Sequence, residues 1–214
     1  MSVSVKERPV QFTWWETVGL LAGRKTVMRR MVKGVQIPTE DTSIPAGERQ
    51  RWSAIAQIDP RYGFSVFGAT DVECAKELAE FAPCPYGRRG ERLWVRETWV
   101  ADAQLNDVSP KALSRGEPIL YRADGALRQT GCSMIAPGKT RPSIHMPRWA
   151  CRVVLAINDV RVERLQDITE EQAQAEGYKA VRGGMSARNL MAATHPDWDA
   201  NPWVWVIAFK KVQP

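Results

Sequence analysis

The 214 residues are 44% hydrophobic and 25% charged, close to globular averages, which excludes a disordered or a fibrous chain. No run reaches the ~18 apolar residues that a bilayer span needs. The opening MSVSVKERPVQF has neither the apolar stretch nor the cleavage site of a secretory signal, so a cytoplasmic protein is expected. Thirty Lys and Arg against 24 Asp and Glu leave a formal charge of +6, which favours anionic partners, and the length suits one domain over 1–214 with embellishments.

Residues 1–34 hold seven cations against Glu7 and Glu16, so most of the net charge sits in this short stretch. Thr13 caps a predicted helix whose apolar face is Trp14, Trp15, Val18, Leu21 and Ala22, and Gly23 stops it. The basic run RKTVMRRMVK follows, either as a binding face or as solvated charge at a helix end. On an extended segment, alternation places Lys25 and Arg29 with Val27 and sends Thr26, Met28 and Arg30 to the other face. Which face is buried stays open.

Residues 34–83 lack a clean period and carry turn chemistry at Pro38, Pro45, Gly47, Pro60, Gly63 and Gly68, as expected of an insertion. Within them Asp71 to Phe81 reads as a helix ended by Pro83. The segment GERLWVRETWV predicts a strand with Arg92, Trp94, Arg96 and Thr98 on one face. Such a stripe either stacks a base and grips phosphate or packs as cation–π pairs. Residues 102–140 read as a second, polar insertion containing YRADG and PGKTRP.

Order resumes with a strand through Cys151, Val153, Leu155 and Ile157. Thr169 and Gln172 then form a capping-box start for a helix reaching Gly177. Glu176 falls in its last turn, where the helix dipole disfavours a carboxylate, so a compensating cation or a chemical role is expected. The closing NPWVWVIAFKKV is apolar on both faces, as a buried central strand is. Strands near both ends of the chain with polar excursions between them predict an α+β fold, a small closed or nearly closed barrel with attached helices.

The four cysteines show no CxxC pair, and Cys132, His145 and Cys151 match no standard zinc spacing. No metal or cofactor is expected. His145, between Pro142 and Pro147, reads as a packed residue rather than a catalytic one.

Taken in order, several motifs resemble those of the ASCH domain, a PUA-like β-barrel family, and most closely its prophage-type members. They are GRKT at Gly23 to Thr26 with Arg29 and Arg30, GERLWVRETW at Gly90 to Trp99, YRADG at Tyr121 to Gly125 and RPSIHMPRWACR at Arg141 to Arg152. The VERLQDITEEQAQAEG helix start and NPWVWVIAFK complete the set. The resemblance implies a PUA-like small mixed barrel with flanking helices and a basic cleft for RNA or a nucleoside. Some small bacterial ASCH proteins hydrolyse N4-acylated cytidines, as N4-acetylcytidine amidohydrolases, and others act as ribonucleases. The amidohydrolase chemistry is attributed to a Lys, a Thr three residues later, and a Glu near the end of the later helix. By position the Lys is Lys25 and the Glu is Glu176, but the Thr position is Met28, whose thioether has no proton to lose.

Three readings follow. The leading one is binding of RNA, single-stranded nucleic acid or a modified nucleoside, with Arg24, Lys25, Arg29 and Arg30 on phosphate. Arg92, Trp94, Arg96 and Trp149 are the accompanying Arg and aromatic candidates. The second is a metal-independent amidohydrolase or ribonuclease in the same cleft, using Lys25 and Glu176 to activate water, with Thr26 as a substitute hydroxyl. The third is a phage-encoded protein-interaction module, which exposed aromatics in residues 34–83 favour.

Overall fold

A computed structural model describes residues 5–57, 63–179 and 185–213; Pro60 of the first insertion lies outside them. In chain order the first elements are β1 (Glu7–Gln11), α1 (Trp14–Leu21), β2 (Val27–Met31), β3 (Thr39–Glu40), β4 (Trp52–Ile55), β5 (Ser65–Gly68) and α2 (Asp71–Phe81). Then come β6 (Arg92–Arg96), β7 (Trp99–Asp102), β8 (Ile119–Tyr121), β9 (Leu127–Arg128) and β10 (Pro137–Arg141). The last are β11 (Val154–Arg164), α3 (Glu170–Ala175), α4 (Ala187–Thr194) and β12 (Trp203–Val212). The fold is mixed α+β with several sheets and few helices. It divides into two compact units, one of 1–24, 91–156 and 210–214, the other of 25–90 and 157–209.

In the first unit β1 runs parallel to β6, with Pro9 opposite Trp94, and β6 is antiparallel to the start of β11. An antiparallel sheet in the order β10-β7-β8-β9 covers a core of Trp99, Ile119, Tyr121 and Met146. Helix α1 begins at the predicted Thr13 cap, but its buried face is Glu16, Thr17, Gly19 and Leu20. Trp14 and Trp15 are exposed instead, at 61% and 42%. The buried Glu16 closes a capping box on the Thr13 N–H at 2.9 Å, and the small Thr17 and Gly19 let the helix approach where an indole would not fit.

Three distant motifs meet in this unit. Arg152 donates to both oxygens of Glu97 at 2.8 Å and to Asp124 at 2.8 and 3.0 Å. Its guanidinium lies 4.0 Å from the Tyr121 ring centroid. Burial pushes the Tyr121 phenol up to about 12, and its hydroxyl donates to the Ala150 carbonyl at 2.8 Å. The YRADG turn is thus an Arg clamp with an aromatic floor.

In the second unit β2 pairs antiparallel with β12, Val27 opposite Ala208 and Met31 opposite Val204. The stretch without periodicity folds as an antiparallel β3-β4-β5 sheet with α2 packed on β5 and β4. Strands of two, four and four residues are too short to declare a period. Leu165, Ile168, Ala173, Met191, Val204 and Val206 form a core against which Val27 packs, so β12 is buried as its composition predicts. Glu170 fastens α3 to α4 by accepting from the Ala187 and Arg188 N–H groups at 2.8 and 2.9 Å.

Candidate functional site

Gly23 adopts φ +71°, which frees the chain to leave α1 and enter the GRKT segment. The Thr26 N–H then donates to the Ala175 carbonyl at 2.8 Å, and the Thr26 carbonyl accepts from Phe209 N–H at 2.9 Å. These two bonds lock the start of β2 between the end of α3 and β12. Gly177 at φ +102° follows α3, and its missing Cβ faces the Lys25 Cβ, which such an atom would meet at 3.6 Å.

Lys25 and Glu176 are brought together. The ammonium donates to Glu176 Oε2 at 2.6 Å and to the Glu176 main-chain oxygen at 3.0 Å. It therefore neutralises the carboxylate and caps a terminal carbonyl of the helix, supplying the cation that the helix dipole calls for. Arg29 approaches the other carboxylate oxygen at 3.4 Å, donates to Gln172 Oε1 at 3.0 Å and lies 3.6 Å from Glu163. Lys25, Arg29 and Glu176 are 1%, 6% and 4% exposed. Gln172 Oε1 also accepts from Thr169 N–H at 3.2 Å, so one amide oxygen serves both the cap and the site. Lys25 and Arg29 are buried on one face of the segment and Met28 on the other, so both faces are covered.

The other sequence candidates are arranged differently. Thr26 is exposed and Arg30 half-buried, the latter donating to the Arg29 carbonyl at 2.9 Å. Met28 is fully buried opposite Ile207, on the strand face away from Arg29. Arg24, Arg92, Trp94, Arg96 and Trp149 belong to the first unit. Trp94 is 8% exposed, with the Arg96 guanidinium 4.6 Å and that of Arg148 6.0 Å from its ring centroid. Its face is occupied by arginine, as in cation–π packing. Trp149 is likewise paired with Arg128 at 5.2 Å, and Arg92 lies 4.0 Å from Glu7.

Sequence reasoning did not single out Gln172 or Glu163 as partners of Arg29. Gln172 lies on α3 and Glu163 on β11, and only the tertiary fold brings both to the arginine. Among the described residues no three His, Cys, Asp or Glu side chains group as a metal site, and no helix is long and apolar enough to cross a membrane. Comparison with protein-family models, curated proteins and solved structures gives no match.

Proposed function

We propose that the chain is an ASCH-like domain of the PUA-type barrel class, and that it receives a modified nucleoside or an unpaired RNA base at the Lys25–Glu176 pair. The observation that carries this reading is the burial of the pair together with Arg29. Cations buried on a carboxylate cannot form an open phosphate track, which lowers the weight of the multi-phosphate reading for Lys25 and Arg29. A buried ion pair adds little stability over apolar side chains of similar size, so core stability alone is a weak reason for this sequence. A base carbonyl can take the place of the Glu176 main-chain oxygen on the ammonium. That leaves the ion pair intact but releases a helix-end carbonyl that must find another donor.

Calorimetric titration with cytidine, N4-acetylcytidine and an unstructured RNA oligomer tests the reading at low and moderate salt. Nucleoside binding that is insensitive to salt and lost in folded Lys25→Met protein is the expected result. Binding of the RNA alone, falling steeply with salt, would instead restore the phosphate-track reading.

A hydrolase at the same place is the second reading, favoured by the 2.6 Å contact between an ammonium and a carboxylate, groups suited to moving a proton. With Met28 at the family's threonine position, water is the nucleophile in this reading. Turnover of N4-acetylcytidine that disappears in Glu176→Gln supports it, and a wild-type rate equal to the uncatalysed one ends it. For the interaction-module reading, the relevant observation is that Phe64 and Phe81 are 46% and 48% exposed, with ring centroids 6.0 Å apart.

A further inference from the structure

Two adjoining cavities of about 470 and 420 Å³ lie in the first unit and share Ser109, Pro110 and His145 in their walls. Both are within the size range of small-ligand sites. The first is lined by Arg96 and Lys111, the second by Lys139 and Arg141, and Asp107 is the single carboxylate among the lining residues.

The two arginines are held in place without being neutralised. Arg141 is 5% exposed and donates to the Val108 and Leu105 carbonyls, with its guanidinium 5.3 Å from the Trp99 centroid. Its Nε is buried without a partner, and among the described residues it makes no ion pair. Arg96 stacks on Trp94 and donates to the Ile144 carbonyl at 3.3 Å, and it too has no carboxylate partner among the described residues. Lys111 and Lys139 are exposed and line one cavity each. Neutral partners fix a guanidinium but leave its charge uncompensated, and in a concave site such charge attracts an anion. Ile144, 53% exposed, with Pro110 and Pro147 supplies an apolar wall suited to the flat face of a base.

We infer that this double cavity binds a phosphate ester of nucleotide size, its phosphate between Lys111 and Lys139 and its base against Ile144. The site is independent of the reading at Lys25. The phosphate belongs either to a free nucleotide or to a single-stranded polynucleotide, and the probes separate these sources.

The test titrates AMP, adenosine and a single-stranded RNA hexamer into wild-type protein, a Lys111→Glu/Lys139→Glu variant and a Lys76→Ala/Lys210→Ala control. All four lysines are exposed, so folding is not at issue. The charge reversal is expected to weaken AMP by about tenfold or more, with adenosine and the control variant unaffected. Weakening of the hexamer with no AMP binding to either protein assigns the phosphate to a polynucleotide. Failure of both AMP and hexamer to bind wild-type protein, or equal affinity for wild type and the charge-reversed variant, overturns the inference.

Discussion

Lys25 donates to both the side chain and the main chain of Glu176, at 2.6 and 3.0 Å, across 151 positions of sequence. Replacing Glu176 by Gln leaves the buried Lys25 and Arg29 facing a neutral amide. Removing one member of a buried pair costs about 3–5 kcal/mol, and urea denaturation should show a loss of that size. Lys25→Met should cost less, because Arg29 still faces the carboxylate. Equal midpoints for wild type and Glu176→Gln would mean that the ammonium does not depend on the carboxylate.

Gly177 governs the same contact through the backbone. At φ +102° a side chain is strained whatever room surrounds it, and an added Cβ would meet only the Lys25 Cβ at an ordinary 3.6 Å. Gly177→Ala should therefore cost about 1 kcal/mol from conformation alone. A thermal-melting comparison checks this, and an unchanged melting temperature would contradict the left-handed geometry.

Glu170 sets an acid limit on the α3–α4 junction. The Arg188 N–H first, then that of Ala187, holds its carboxyl down at about 2, from an ordinary 4.5. Because the folded value is depressed, its contribution is complete above pH 4.5 and disappears as pH falls through about 2. Glu170→Gln should lower stability at neutral pH and flatten the stability profile across that window. Parallel profiles for the two proteins would contradict the assignment.

Arg152 spans Glu97 and Asp124, and Glu97 is only 2% exposed. Arg152→Ala strands that carboxylate and should cost about 3 kcal/mol. Arg152→Lys should recover only part, since an ammonium cannot reproduce the two-pronged contact or the stack on Tyr121. Full recovery by lysine in chemical denaturation would show that charge alone matters.

The sequence is most legible where chemistry is local. The caps at Thr13 and Thr169 and the both-sided apolar strand β12 can be read from a few neighbouring residues, and the structure has them. Contacts decided by chain segments far apart are less legible. The burial of Glu16 instead of Trp14 depends on what packs against α1, and β1 reveals its partner only through a parallel pairing 85 positions away. Helix α4 carries a signal, Ser186 before a short apolar spacing, that eight residues make easy to overlook. At the candidate site, alternation left open which face of Lys25 to Arg30 is buried. Burial of the charged face requires Glu176, and neither spacing nor composition could bring that residue to Lys25.

The 151-residue separation also bears on how the molecule is made. A ribosome adding about 5–20 residues per second synthesises Glu176 about 8–30 s after Lys25. Strand β12, whose Phe209 amide binds the Thr26 carbonyl, is translated later still. Throughout that interval the nascent chain carries an unmatched ammonium beside apolar Val27 and Met28. Early collapse of this segment would bury an unpaired charge, so the pair favours closing this part of the second unit only once Glu176 has been made.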